Sequence, residues 1–258
     1  MLLPAPIERH VSGWHAALVW ESGPGACTWL MTGPGGEKLY LKVRAADAAV
    51  PLRDEAARLR WAHGAGLPVP AVVAECASPG REWLLTRALP GRSAVEDELT
   101  ADPVWLVGVL ADGLRQFHAA PAARCPFRYE IREALERVAG RVAAGMIEPD
   151  DMHPEHAHLS PAAALAELER LRPASEDLVV CHGDYCLPNV LISDGRVAGF
   201  VDLGELGVAD RWWDLAVATW SLTWNLGPGW EEPFLAAYGV ARDDSRIAFY
   251  RLLYDVTS

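Results

Sequence analysis

The sequence has no uninterrupted apolar run of about 18 residues, the length that a membrane-spanning helix needs, although 51% of its 258 residues are hydrophobic. The first ten residues, "MLLPAPIERH", are too few and too interrupted by proline to predict a signal peptide. The sequence therefore predicts a cytoplasmic protein with a substantial core, in one large domain or two smaller lobes.

Cysteine and basic residues are also sparse. The five cysteines are odd in number and have no framework spacing, which predicts reduced thiols. The 23 lysine and arginine residues face 35 acidic ones, for a net charge of −12, and they form no cluster that could follow a phosphate backbone. We therefore expect no nucleic-acid partner and no membrane association. The acidity suits a cationic small molecule, or it serves only solubility. We expect a monomer or a weak dimer.

Up to about residue 90, the sequence pattern is typical of strands. Three strands are predicted at "CTWLM", "KLYLKV" and "EWLLTRAL", each bounded by glycine or proline. One helix is predicted within "PLRDEAARLRWAHGAGLPVP", where apolar residues recur at helical spacing until a glycine and proline cluster ends them. We place a domain boundary near Gly91, within the turn-rich segment "ALPGRSA".

Beyond Gly91 the pattern becomes mainly helical. Asp102 is a predicted cap, Pro103 takes the first helical position, and an apolar stripe follows at Val104, Val107, Leu110, Leu114 and Phe117. Further helices are predicted in "REALERVAGRVAAG", "AAALAELERL" and "DRWWDLAVATWSL". Between the last two, "LVVCH" predicts a buried strand, and Asp194-Gly195 predicts a two-residue hairpin turn.

The segment around this hairpin carries the parts that phosphoryl transfer needs. His182, Asp184 and Asn189 have the spacing of a kinase catalytic loop, H-x-D-x-x-x-x-N. Asp184 would then face the acceptor hydroxyl, and Asn189 would bind a metal ion. Asp202 begins an Asp-Leu-Gly at the end of the second hairpin strand, where a second metal ligand is expected, and the hairpin would bring it back beside Asn189.

Lys42 and Glu55 form a second candidate pair. Lys42 lies in the strand "KLYLKV", and Glu55 follows 13 residues later in the predicted helix. A strand lysine paired with a helix glutamate holds nucleotide phosphates in kinases. Alone, the pair would be an ordinary surface salt bridge, but the ordered residues downstream favour the phosphate-binding role.

Together these motifs place the sequence in a family. The stretch "VVCHGDYCLPNVLISDGRVAGFVDLGELGVADRWWDLAVAT" resembles the aminoglycoside 3'-phosphotransferases, and "LRWAHGAGLPVP", "LRQFH" with "CPF", "AGMIEPDD" and "SRIAFYRLL" extend the resemblance over nearly the whole chain. The resemblance implies an α+β, two-lobed, protein-kinase-like fold. Residues 1–90 would form the nucleotide-binding lobe, an antiparallel sheet with one helix. Residues 91–258 would form the mainly helical catalytic and aminoglycoside-binding lobe.

The resemblance also implies an activity and its residues. The enzyme would transfer the γ-phosphate of ATP, or of GTP, to the 3'-hydroxyl of an aminoglycoside and so confer antibiotic resistance. Asp184 would be the catalytic base, with Asn189 and Asp202 as Mg²⁺ ligands. Nucleotide-binding residues would be the Lys42 and Glu55 pair, Ser22, Gly23 and Gly25 of the covering loop, and Arg87 and Leu89 of the hinge. The ammonium groups of the acceptor would meet Glu148, Asp151, Glu155 and Asp255.

Several positions depart from the family pattern. Pro24 stands where the covering loop usually has serine, and it has no N–H for a phosphate. Glu205 replaces an arginine, and Trp224 and Asn225 replace an acidic pair. The usual acidic and aromatic chain end is "YDVTS" in this sequence. These changes leave open a different small-molecule acceptor, or a non-catalytic nucleotide-binding protein.

Two residue groups have a structural interpretation beside a functional one. The dense tryptophans from Trp212 to Trp230 favour core packing, with Trp224 or Trp230 as an alternative wall against a sugar ring. Cys181 and Cys186 with His182 lack the second ligand pair of a zinc site, so zinc is not expected.

Overall fold

A computed structural model describes residues 3–22, 26–46, 50–148 and 152–257. The chain divides into two compact units. Unit 1 comprises Met1–Arg92 and Leu191–Glu205, and unit 2 comprises Ser93–Val190 and Leu206–Ser258. The residues 191–205 thus group with unit 1, although they follow the predicted boundary near Gly91 in the chain. That boundary stays a prediction.

The helices and strands fall into three consecutive parts of the chain. The first part contains α1 (Ala5–Val11), β1 (His15–Ser22), β2 (Ala26–Thr32), β3 (Lys38–Ala45), α2 (Leu52–Gly64), β4 (Val72–Ser78), β5 (Arg81–Arg87) and β6 (Arg92–Ser93). The middle contains α3 (Asp97–Thr100), α4 (Pro103–His118), α5 (Ile131–Ala143), α6 (Pro161–Leu171) and β7 (Leu178–Cys181). The last part contains β8 (Val190–Ser193), β9 (Arg196–Phe200), β10 (Gly207–Asp210), α7 (Trp212–Leu226), α8 (Glu231–Tyr238) and α9 (Asp244–Thr257).

Unit 1 is built on a five-stranded antiparallel sheet with the order β1-β2-β3-β5-β4. In β3, Leu39, Leu41 and Val43 are buried at alternate positions and pack in a cluster that includes Ile7 and Val11 of α1. Because side chains alternate across a strand, Lys42 points to the other face of the sheet. The alternation of β3 therefore separates an apolar core from a charged position.

The hairpin of β8 and β9 was predicted from Asp194-Gly195, and the structure confirms it. The strands end and begin directly beside this pair, and both turn residues have positive φ, 51° at Asp194 and 75° at Gly195. A two-residue turn with two left-handed residues matches the twist of the flanking strands. Aspartate and glycine adopt this conformation at low cost, which is why the pair specifies the turn.

Unit 2 is mainly helical. The Asp102 side chain caps α4 by accepting the N–H of Trp105 at 3.1 Å, as the sequence predicts. Leu106, Val107, Leu110, Leu114 and Phe117 form its buried face. The prediction that Val104 belongs to this face is wrong: Val104 is 72% exposed, because the first helical turn lies at the edge of the packed surface.

The α+β class, with an antiparallel sheet followed by a mainly helical part, is confirmed. The short helix α1, which packs against β4, was not predicted. None of the helices in the described ranges has the length and apolar character needed to cross a membrane. All five cysteines are free thiols.

The N-terminus of α2 takes its cap from a neighbouring strand. Pro51 precedes the helix and offers no side-chain cap, but the buried carboxylate of Glu82 in β5 accepts the N–H of Leu52 at 2.6 Å. A negative group at this end also complements the helix dipole. We expect Glu82→Ala to leave a buried donor unsatisfied and to lower the free energy of unfolding by about 1–3 kcal/mol.

Urea unfolding followed by circular dichroism measures this loss. The variant Glu82→Gln is the matched control, since its amide oxygen can still accept the bond. Equal losses in both variants would contradict the assigned capping role.

Candidate active site

In unit 1, Lys42 lies between two carboxylates. Its Nζ is 2.8 and 3.0 Å from the two oxygens of Glu55 and 2.9 Å from Oδ1 of Asp202. The sequence predicted the pairing of Lys42 with Glu55, and the structure contains it. The ion pair of Lys42 with Asp202 was not predicted.

The position of Glu55 follows from the periodicity of α2. Leu52, Ala56, Leu59 and Ala62 are buried along one face of the helix, and Glu55 falls on the same face with only 3% of its surface exposed. A carboxylate at such a position is costly unless a cation meets it. Lys42 supplies that cation, so the pair is part of the packing of α2 on the sheet.

The charge of Lys42 is stable in this setting. Burial alone disfavours its charged form, but the carboxylates of Glu55 and Asp202 outweigh burial and raise the pKa of Lys42 above its ordinary value. Lys42 is therefore a cation at neutral pH.

Asp202 has an unusual backbone. It follows β9 and has a φ of 61°, in the left-handed region that non-glycine residues seldom adopt. The side chain is 37% exposed while Oδ1 contacts Lys42. Sparsely populated backbone conformations of this kind are frequent where a functional side chain must take one direction. In this loop, the direction places a carboxylate beside the lysine and still open to solvent.

In unit 2, the loop between β7 and β8 presents Asp184. Both carboxylate oxygens accept a hydrogen bond: Oδ2 from Nδ2 of Asn189 at 2.8 Å, and Oδ1 from the hydroxyl of Tyr254 at 2.9 Å. Asn189 also donates to the backbone oxygen of Asp184 at 3.1 Å. Since its amide nitrogen makes both bonds, the amide oxygen of Asn189 is the atom left for a ligand.

Two of the predicted residues each offer an oxygen of a type that Mg²⁺ binds. Mg²⁺ prefers oxygen ligands and takes few of them from the protein, usually alongside phosphate oxygens. Asp202 in unit 1 offers a carboxylate, and Asn189 in unit 2 offers an amide oxygen. The predicted closeness of these two residues stays a prediction.

Asp214 of α7 fixes the backbone of the Asp184 loop by hydrogen bonds. This role of Asp214 was not predicted from the sequence. Its carboxylate, 0% exposed, accepts the N–H of His182 at 2.7 Å and that of Gly183 at 2.8 Å. His118 contacts it through Nε2 at 2.9 Å. The signal was present in "WWDLAVATW", where one aspartate interrupts an apolar helix. The side chain of His118 thus has a structural role through its contact with Asp214.

The predicted nucleotide-binding segments lie at the ends of strands. Arg87 ends β5 with an exposed side chain, and its N–H donates to the backbone oxygen of Ala71 at 2.9 Å. Leu89, half-buried, follows it. Ser22 ends β1, whereas Gly23, Pro24 and Gly25 lie outside the described residues. Their predicted contact with phosphates stays a prediction.

The four predicted acceptor-binding acids lie in different surroundings. Glu148 and Glu155 are exposed, and Asp151 lies outside the described residues. Asp255 is mostly buried and already has partners. Its oxygens accept the N–H of His153 at 3.0 and 3.1 Å, and Oδ2 lies 2.8 Å from Nδ1 of His156. The structure therefore gives Asp255 a role in fixing the loop of residues 152–160, beside the role predicted for it.

The tryptophan-rich segment divides into two groups. Trp212, Trp213 and Trp220 are buried, which confirms core packing for them. Trp224 is 47% exposed, and its indole N–H lies 3.3 Å from Nε2 of His153. The imidazole of His153 also packs against Trp220, with ring centroids 4.5 Å apart.

The thiolate forms of Cys181 and Cys186 are disfavoured. Burial raises the pKa of Cys181 and of Cys186 well above the ordinary value, and nearby aspartates raise it further. Within the described ranges, one cluster has a spacing that could hold a metal ion: His118, Cys181 and Asp214. In this cluster, His118 and Asp214 are hydrogen-bonded to each other and to other protein groups. The sulfur of Cys181 is a protonated thiol next to backbone oxygens. The cluster therefore supports the loop and is a poor ligand set.

Comparison with known proteins agrees with this geometry. The model of the phosphotransferase enzyme family matches residues 21–250. The chain is 41% identical over 253 residues to an aminoglycoside 3'-phosphotransferase of Streptomyces fradiae, with 93% of each chain covered. The chain belongs to the aminoglycoside phosphotransferase family.

Solved structures of this family have the same fold. A crystal structure of an aminoglycoside-3'-phosphotransferase of type VIII is similar, with a TM-score of 0.88 and 36% identity, covering 97% of this chain and 96% of that one. A second similar structure is that of an APH(3'')-Id phosphotransferase from Streptomyces rimosus in complex with ADP and streptomycin. Its TM-score is 0.79 and its sequence identity 30%, covering 98% of this chain and 96% of that one. The predicted family, kinase-like fold and phosphotransferase class are confirmed.

In this aminoglycoside phosphotransferase, Asp214 is the residue on which the loop geometry depends. Asp214→Ala removes the acceptor of two buried N–H groups and of His118. We expect the free energy of unfolding to fall by about 3 kcal/mol or more. Guanidinium unfolding followed by tryptophan fluorescence measures it.

The control is Asp112→Ala, which removes an exposed carboxylate of α4 that pairs with Arg115. Its effect should stay within about 0.5 kcal/mol. A loss of similar size in both variants would show that the Asp214 contacts do not stabilise the loop.

Proposed function

We propose that the protein transfers the γ-phosphate of ATP to the 3'-hydroxyl of an aminoglycoside and thereby inactivates the antibiotic. The observation that carries the proposal is the Asp184 carboxylate, held by Asn189 and Tyr254 on a loop fixed by Asp214. Membership of a phosphotransferase family and similarity to named 3'-phosphotransferases support the reaction and the acceptor.

Unit 1 supplies positive charge and a metal ligand. Lys42, kept protonated by Glu55 and Asp202, would bind nucleotide phosphate oxygens. Magnesium, when bound, neutralises charge on the phosphates, and Asp202 and Asn189 are the residues that would hold it. A nucleotide partner is also supported by the ADP complex of the Streptomyces rimosus relative.

Unit 2 supplies the proton acceptor. Asp184 takes the proton of the acceptor hydroxyl while the oxygen of that hydroxyl forms a bond to the γ-phosphorus. The bond from that phosphorus to the β,γ-bridging oxygen breaks, and ADP leaves. Most of the rate comes from position and electrostatics in such reactions, so the fixed orientation of Asp184 is the relevant property.

The acceptor is proposed to be a polycation. The net charge of −12 and the exposed carboxylates of Glu148 and Glu155 favour ammonium groups. Asp151 and Asp255 stay predictions. Asp255 could contribute only together with His156, which already lies on its carboxylate.

A second candidate differs in the position that is phosphorylated. The relative solved with ADP and streptomycin is an APH(3'')-Id enzyme, and it is 30% identical over nearly the whole chain. The substitutions Trp224, Asn225 and Glu205 favour a changed acceptor. The 3''-hydroxyl of streptomycin is therefore the alternative target.

A transfer assay with γ-labelled ATP and, in parallel, GTP separates these candidates. The acceptors are kanamycin B, its 3'-deoxy analogue, neomycin, streptomycin and choline. We expect labelled kanamycin B and neomycin but no product from the 3'-deoxy analogue, because that compound differs only by the reacting hydroxyl. Product on streptomycin alone would favour the 3''-candidate. Product on choline alone would contradict both candidates.

The base is tested by Asp184→Ala. Because general-base catalysis contributes about 10²–10⁴ in rate, we expect kcat to fall at least about 100-fold. Calorimetric nucleotide affinity should stay within about threefold, as Asp184 faces the acceptor in the proposal. Asp112→Ala serves again as the control. Near-parental turnover by Asp184→Ala would exclude the assigned mechanism.

A further inference from the structure

Each oxygen of the Asp184 carboxylate has its own donor. Asn189, five positions later in the same loop, accounts for the bond to Oδ2. The bond to Oδ1 comes from Tyr254, 70 positions away on α9, with a distance of 2.9 Å. This second donor lies outside the loop motif that contains Asp184 and Asn189.

The position of Tyr254 is set by a helix anchored along its length. Leu253 and Val256 are buried beside Tyr254 in α9. Arg251 donates to Thr219 at 3.0 Å and to Glu231 at 2.8 Å. Nearer the start of α9, Arg246 pairs with the buried Asp210 and donates to the backbone oxygen of Ser175 at 2.9 Å. The phenol ring therefore has little freedom to leave Asp184.

The hydroxyl of Tyr254 can act only as a donor to this carboxylate. Burial raises the pKa of Tyr254 far above the ordinary value, and the charge of Asp184 raises it further. The neighbouring Cys186 is also kept protonated by burial. The hydroxyl therefore keeps its proton at neutral pH, and its bond to the carboxylate is charge-assisted.

We propose that Tyr254 is a positioning residue for the base, holding the carboxylate plane of Asp184 in the orientation that receives the acceptor proton. This inference rests on the proposed function. The donors Asn189 and Tyr254 on two different oxygens fix the carboxylate against rotation, and the thiol of Cys186 lies in the same hydrogen-bond network, next to Asp184 and Tyr254. Each carboxylate oxygen keeps a lone pair that these hydrogen bonds do not use. The fixed carboxylate plane sets the direction of that lone pair. Tyr254 thus acts on turnover through Asp184, with no contact to the acceptor required.

The variant Tyr254→Phe removes only the hydroxyl and keeps the ring in its packing. A hydrogen bond to a charged group contributes about 1.5–3 kcal/mol, which corresponds to about 10- to 100-fold in rate. We therefore expect kcat to fall at least about tenfold, while KM for ATP and for the aminoglycoside stays within about twofold. A change in the aminoglycoside KM with kcat preserved would overturn the inference, since it would make Tyr254 an acceptor-binding residue.

Tyr250→Phe is the matched control on the same helix. Within the described part of the chain, the buried hydroxyl of Tyr250 has no hydrogen-bond partner. Its removal should leave kcat unchanged. An equal loss of kcat in Tyr250→Phe and Tyr254→Phe would assign the effect to the packing of α9 and overturn the role of the Tyr254 hydroxyl.

A ligand-free measurement separates this inference from the proposed function. The melting temperatures of parent, Tyr254→Phe, Asp184→Ala and the double variant form a double-mutant cycle. We expect the decrease in melting temperature of the double variant to differ from the sum of the decreases in the two single variants, because the two side chains share one hydrogen bond. Additive losses would overturn the contact itself. A parent inactive on every acceptor would contradict the proposed function, and the cycle would still decide the contact.

Discussion

A single buried carboxylate fixes the geometry on which the proposed chemistry depends. Asp214 has no exposed surface, and its oxygens bind two successive backbone N–H groups, of His182 and Gly183, directly before Asp184. An ionisable group is costly in such a place unless donors surround it, and backbone amides and His118 do so around Asp214. The constraint works through the main chain, so it orients Asp184 without touching its side chain. The side-chain bonds to Asn189 and Tyr254 then complete the orientation.

Unit 1 also contains a buried carboxylate, that of Glu55, and an ion pair stabilises it. Glu55 is buried by the same helical periodicity that buries Leu52 and Leu59, and its ion pair with Lys42 makes that position tolerable. Because Lys42 also contacts Asp202, the packing of α2 and the direction of the Asp202 side chain are coupled. A charge bound by Lys42 in place of Asp202 would leave the Glu55 contact intact. The lysine can therefore exchange one partner while the fold of unit 1 keeps the other.

Local patterns allowed much of this to be predicted from the sequence. The alternation in β3, the stripe of α2, the Asp102 cap and the Asp194-Gly195 turn each depend on near neighbours, and all are present. The pair of Lys42 and Glu55 could be predicted because it combines a strand and a helix pattern. The contacts of Asp184 with Tyr254 and of Gly183 with Asp214 join residues 70 and 31 positions apart, for which no spacing rule exists. The partners of Asp255 escaped prediction for the same reason, since they depend on how a loop meets the last helix.

The lysine content has a practical consequence for work with the protein. The 258 residues contain two lysines, Lys38 and Lys42, and every other side-chain cation that stays charged at neutral pH is an arginine. Lys38 is exposed at the start of β3, whereas Lys42 lies between two carboxylates that keep it protonated. Amine-directed reagents attack neutral, accessible amines, so Lys38 is the lysine that will take the label. A dye or a surface tether can thus be attached at one defined side chain of the sheet while Lys42 is spared.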